Sequence, residues 1–294
     1  MSVPAASGPD ADSRPIHLLG VGAQKAGTTW VQRYLAQAPE CEPGFDAEYT
    51  IFDCLDTPEH TVTRSLIFER ARAELDAVES ATPTHPNNLL RLAMMADQRV
   101  YYDYFADLSR RPGIRMTLDV TPNYALLPLR RYRQIRHEFA VRGVRAVALF
   151  VMRDPVERIW SQVRMNQQRG KRRNPRSEIE LVRERYRRPT VEARTRYEHT
   201  IERLDEVFAA DVHYEFSERL FTEKALRRLC DAAGVTYRPT DTADRANPSP
   251  KHESLPDDVV AEIVAHYRAT YLAVQERFGI EDLSALWPSA RLLD

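Results

Sequence analysis

The chain gathers two glycines, a lysine and two threonines into one short run, Gly22-Ala-Gln-Lys25-Ala-Gly27-Thr28-Thr29. Upstream, Ile16-His-Leu-Leu-Gly-Val21 is short and mostly apolar, the pattern of a strand buried on both faces. Downstream, residues 30–37 read as a helix with Val31, Tyr34 and Leu35 on one side and Pro39 as its stop. A strand, a glycine turn and a helix N-terminus aim free backbone N–H groups and the positive end of a helix dipole at one point. Lys25 adds a mobile charge there, and Thr28 and Thr29 add hydroxyl donors. The chemistry this spacing serves is the holding of a phosphate or sulfate. The plainer alternative is a strand–turn–helix with an exposed lysine.

Two other stretches carry chemistry. Residues 114–120 read as a strand stopped by Pro122, so Asp119 falls near a strand's carboxyl end, the edge where ligands collect in open parallel sheets. A carboxylate there takes the proton from an attacking hydroxyl, or else caps the turn before Val-Thr-Pro. Val144-Arg-Ala-Val-Ala-Leu-Phe-Val-Met152 is the clearest strand in the chain and feeds Arg153-Asp-Pro-Val-Glu-Arg-Ile-Trp-Ser161. Pro155 suits the first position of a helix with Asp154 as its N-cap, which puts Ser161 about two turns along. An arginine and a hydroxyl converging on one dianion is what a terminal phosphate requires. Arg158 reads as a third ligand or, preferably, a structural ion-pair partner.

The elements that must position these residues are legible around them. Composition fits one ordinary α/β domain over residues 15–294 after a disordered tail at 1–14: 43% hydrophobic, 29% charged, net charge -1. Three cysteines without paired or metal-like spacing point to a reducing compartment, and no apolar run spans a membrane, so a cytoplasmic protein is expected. A helical insertion is expected at about 40–112, with helices at about 64–79 and 87–108, the second rich in Leu, Met, Tyr and Phe. That stripe packs a core or lines an acceptor groove. His60 and His85 lie in this insertion without metal-ligand spacing. Residues 164–196 hold twelve Lys or Arg against four Glu, either capturing a polyanion or forming a solvated helix with i,i+4 pairs. A basic nucleic-acid binder is one alternative, which the near-zero net charge disfavours. Further on, residues 212–216 read as a strand and 222–233 as a helix ended by Gly234. A last helix is expected at 257–278, stopped by Gly279.

The loop from Gly22 departs from the nucleotide P-loop, G-x-x-x-x-G-K-[ST], because its lysine precedes the second glycine by two and Thr28 stands in the lysine's place. A P-loop-type small-molecule kinase is the other enzymatic alternative, and it lacks that Gly-Lys-Ser/Thr step. The arrangement resembles the loop of sulfotransferases that use 3′-phosphoadenosine 5′-phosphosulfate (PAPS). R-D-P-x-x-R-x-x-S resembles their 3′-phosphate segment, and T-L-D-V-T-P-N-Y their T-x-E-K-T-P-x-Y segment in the heparan sulfate enzymes, with Asp and Val120 in place of the glutamate and lysine. The resemblance implies a P-loop-kinase-like three-layer α/β fold with a mainly parallel sheet of four or five strands. It implies sulfuryl transfer from PAPS to a hydroxyl or amine of a small-molecule or glycan acceptor, leaving PAP and needing no metal. Cofactor binding falls to Gln24, Lys25, Ala26, Gly27, Thr28, Thr29, Trp30, Arg153 and Ser161, with Lys25 also at the leaving oxygen and Asp119 as the base. Tyr214, in a Tyr-Glu segment, is implied as an adenine contact, and Lys251, in a Pro-rich late loop, as a phosphate contact.

Overall fold

The computed structural model describes residues 13–57, 61–80, 82, 85–169, 176–240 and 254–293. Among these, five strands form one parallel sheet: β1 (Ile16–Gly22), β2 (Cys41–Glu42), β3 (Met116–Val120), β4 (Arg145–Met152) and β5 (Val212–Phe216). Their order is β2-β3-β1-β4-β5, so β1 is central and the chain reverses direction across the sheet on either side of it. All of β1 and all of β4 after Arg145 are buried, as their unbroken apolar runs require. At Gly20 a Cβ would come within 2.8 Å of Val120 Cγ1, so the approach of β1 to β3 needs a glycine there. The two-residue β2 was not expected, because a strand that short leaves no periodic signal.

Helix α1 (Thr28–Ala36) follows β1 directly. The insertion then supplies α2 (Phe52–Asp56), α3 (Thr61–Glu79), α4 (Asn87–Ala96) and α5 (Gln98–Ser109). The continuous helix expected at 87–108 is two helices, because Asp97 is extended (φ -136°, ψ 105°) and its carboxylate accepts Arg99 N at 3.0 Å, capping the second. Met94, Met95, Tyr101, Tyr102 and Phe105 are buried, so most of that apolar stripe packs the core. Helices α6 (Leu129–Val141) and α7 (Pro155–Arg169) lie on either side of β4 in the chain. There follow α8 (Glu178–Arg185), α9 (Pro189–Ala193), α10 (Tyr197–Phe208) and α11 (Glu223–Ala233). The last expected helix is also two, α12 (Asp257–His266) and α13 (Arg268–Phe278), parted where Tyr267 leaves helical geometry (φ -102°, ψ 18°). Gly234 and Gly279 end their helices in the left-handed conformation.

Four arginines of the basic stretch form ion pairs where it is described. Arg176 and Arg188 pair with Glu184, Arg196 with Glu192 and Glu198, and Arg183 with Asp258 and Glu262 of α12. Residues 170–175 lie outside the described residues, as do His60, residues 1–12 of the expected tail and the loop carrying Lys251. No described helix is long and apolar enough to cross a membrane.

Candidate active site

The β1–α1 loop is bent by three residues in left-handed or related backbone: Gly22 (φ 145°), Lys25 (φ 71°) and Gly27 (φ 99°). Glycine suits two of them; Lys25 is the exception and holds a conformation that residues with a Cβ rarely adopt. The loop is tied down by Ala23 N donating to Val151 O of β4 at 2.6 Å and Ala26 N to Ala23 O at 3.2 Å. Gly27 then opens α1 with no side-chain cap. The first-turn N–H groups of Thr28 and Thr29 therefore face the loop's hollow without an internal helix partner. Gln24 Oε1 is buried with no hydrogen-bond partner among the described residues. Trp30 stacks on Tyr34 at 5.2 Å, and Phe221, after β5, meets it edge-on at 5.0 Å.

The second motif closes on the first. Asp154 caps α7, accepting from Val156 N at 2.9 Å, and is itself held by Ser289 Oγ at 2.7 Å and Ser289 N at 3.0 Å. That anchoring fixes Arg153, whose Nη1 donates to the Lys25 carbonyl at 2.9 Å and whose Nη2 meets Glu157 at 3.1 Å. Lys25 Nζ reaches Met165 Sδ at 3.5 Å. Glu157, Ser161 and Met165 recur every four residues on α7, so Ser161 sits between the two side chains that touch Arg153 and Lys25. The structure thus brings Arg153 against the Lys25 backbone and Lys25 against α7, the helix that carries Ser161.

Asp119 has a different setting. It is fully buried and accepts from Thr121 Oγ1 (2.7 Å), Tyr101 OH (2.9 Å), Tyr124 OH (3.0 Å) and Tyr49 N (3.4 Å). Burial pushes its carboxyl above the usual range, while these donors pull it back. The structure therefore encloses Asp119 instead of presenting it to an acceptor. Tyr101 OH also meets His17 Nε2 at 3.3 Å, and His17 Nδ1 meets Thr117 Oγ1 at 2.9 Å. Burial lowers His17 to about 3, so the ring is neutral. Asp53 of α2, also buried, is pushed up to about 7 by burial, with the Asp119 charge acting in the same direction. Asn123, just beyond, accepts from Arg194 Nε at 3.2 Å.

Tyr214 is placed elsewhere. Its hydroxyl donates to Asp205 at 2.9 Å and its ring packs on Phe278 of α13 at 5.2 Å, which commits it to the helix layer. Arg158 forms no ion pair among the described residues, contrary to the expected structural pairing. Sequence reasoning missed Asp53 and Phe221. Asp53 lies in a five-residue helix with no spacing signal, and Phe221 comes next to Trp30 only through the fold.

A five-stranded parallel sheet flanked by helices, whose central strand runs through a glycine-bent loop into α1, is a fold of the P-loop-kinase-like kind. Residues 17–239 match the sulfotransferase family, and the chain belongs to it. No curated protein matches the chain. Among solved structures, a sulfotransferase from Alicyclobacillus acidocaldarius is similar in fold at 20% identity, with TM-score 0.58 over 92% of this chain and 97% of that one. The sulfotransferase domain from the curacin biosynthetic pathway (16% identity, TM-score 0.44, 77% of this chain and 75% of that) is more distant. So is STF9 from Mycobacterium avium (15%, TM-score 0.47, 92% and 78%).

Proposed function

We propose that the chain moves the sulfuryl group of PAPS to a hydroxyl or amine of a small-molecule or glycan acceptor, releasing PAP. The observation that supports this reading is the bond from Arg153 Nη1 to the Lys25 carbonyl, which brings the two motifs together. Their residues fit a nucleotide with phosphates at both ends: the loop N–H groups and threonines for the 5′ side, Arg153 and Ser161 for the 3′-phosphate, and the Trp30–Phe221 pair for a purine face. Bound there, PAPS supplies an activated sulfuryl group whose S–O bond to the 5′-phosphate breaks as the acceptor oxygen or nitrogen bonds to sulfur. Lys25 holds positive charge where that bridging oxygen leaves, and transfer of this kind is catalysed chiefly by positioning and charge stabilisation. Asp119 positions: it fixes Tyr49, Tyr101, Thr121 and Tyr124 beside the loop.

Calorimetry tests the donor. Wild type is expected to bind PAP far more tightly than adenosine 5′-phosphate, and Arg153→Ala to weaken PAP by roughly ten- to a hundredfold, the worth of one charge-assisted contact. Equal affinity for the two nucleotides would remove the assignment.

A further inference from the structure

Four arginines are buried among the described residues, and they divide into two kinds. Arg91 pairs with Asp46 at 2.8 Å and Arg131 with Asp56 at 2.5 Å, as buried guanidiniums normally must. Among the described residues, Arg158 and Arg164, both on α7, have no carboxylate in contact. Arg158, fully enclosed, donates Nη1 to Gln162 at 3.1 Å, but its Nε and Nη2 find no acceptor. Arg164, 3% exposed, lies over the Trp160 ring at 4.6 Å, and its Nε and Nη1 find none either. The indole N–H of Trp160 is taken by Glu178 at 2.5 Å, and Glu178 and Glu157 attract Arg164 only from a distance.

Position gives these spare donors a purpose. Arg158, Ser161 and Arg164 are spaced by three on α7, so they share about a third of its circumference. Glu157 and Met165, on the same arc, touch Arg153 and Lys25. Burial lowers both guanidiniums from the usual arginine range, and the charge of Arg153 repels each of them. Arg153 has Glu157 as its partner and Arg164 feels Glu157 and Glu178 from a distance, so the buried donors that stay unspent among the described residues are Nε and Nη2 of Arg158 and Nε and Nη1 of Arg164.

We propose that Arg158 and Arg164 are further ligands for the phosphates of the nucleotide, their unpartnered N–H donors being taken up when it binds. The proposal rests on the sulfuryl-transfer reading above. It makes the unliganded protein less stable than a neutral version, in exchange for a site already stripped of water when the polyanion arrives.

The test uses full-length protein, PAP, adenosine 5′-phosphate and inorganic sulfate, read by calorimetry and thermal unfolding. Arg158→Met and Arg164→Met are each expected to weaken PAP at least tenfold while the unliganded thermal midpoint holds or rises. Inorganic sulfate is expected to stabilise wild type more than either variant. Arg158→Lys and Arg164→Lys, which keep the charge and lose the fork, are expected to fall between and to decide the matter if a methionine variant does not fold. PAP affinity within twofold of wild type in the variants that fold overturns the proposal, whatever happens to the midpoint. Wild type unable to tell PAP from adenosine 5′-phosphate overturns instead the reading beneath it.

Discussion

Asp119 and Arg153 leave the carboxyl ends of the two strands that flank β1, yet the fold treats them in opposite ways. Around Asp119 the structure gathers donors until the carboxylate is satisfied: two tyrosines, a threonine and a backbone N–H. Around Arg153 it places one carboxylate, Glu157, and further arginines, and among the described residues donors stay unused on Arg158 and Arg164. A satisfied buried network rigidifies a fold, whereas unspent buried hydrogen-bonding capacity calls for an explanation, of which a ligand is one. The contrast holds for these two residues and their immediate partners: Asp119 has its donors in place, while two arginines on the helix after Arg153 keep donors without acceptors among the described residues.

The largest expected effect breaks that contrast on the Arg153 side. Lys25→Ala should lower kcat by roughly 10²–10³, the scale of one donor that acts only in the transition state. PAP affinity should change far less. Single-turnover kinetics with labelled PAPS check this, and a variant that raised only KM at unchanged kcat would make Lys25 a binding residue.

On the Asp119 side the buried groups speak through pH. His17 is held at about 3 against an ordinary 6.5, so the stability it contributes is present above pH 6.5 and lost as pH falls towards 3. Asp53 is the reverse. Its carboxyl is raised from 3.8 to about 7, so its contribution is present below pH 3.8 and lost as pH rises through 7. Each spans several pH units, on the order of a few kcal/mol. Relative to wild type between pH 4 and 6.5, His17→Gln should therefore become less stable as pH rises, and Asp53→Asn more stable. Urea unfolding across that range measures both. Parallel curves for wild type and both variants would mean that neither group titrates differently on folding.

What the sequence disclosed follows from how local each signal is. The strands β1 and β4 and the loops after them are contiguous runs of fixed spacing, so these strands and the mainly parallel sheet were foreseeable. The surroundings of Asp119 were not. They come from Tyr101, 18 residues away, and Tyr49, 70 residues away, both in an insertion without a pattern to place it. Asp97 deceived in the same way: helical periodicity runs through it, and only its cap on Arg99 reveals two helices. Arg158 gave a positional signal without a partner to confirm it. The absence of any contacting carboxylate among the described residues is visible only in three dimensions.

The smallest expected effect on turnover, and the one that sharpens the contrast most, is at Asp119. Asparagine keeps the size and one acceptor oxygen, but its NH2 must face a hydroxyl that now donates to the carboxylate. One buried bond becomes a conflict between donors, which costs about 1–3 kcal/mol of stability. If Asp119 only positions, Asp119→Asn should lose that stability, keep PAP affinity, and retain more than about a tenth of kcat/KM per folded molecule, less loss than the smallest general-base contribution. Chemical unfolding and PAPS kinetics on the same preparation separate the two readouts. A kcat/KM lowered by 10² or more in a variant as stable as wild type would return Asp119 to the proton-accepting role its strand-end position suggests. The loop bearing Tyr49 would then have to part from it when the acceptor binds.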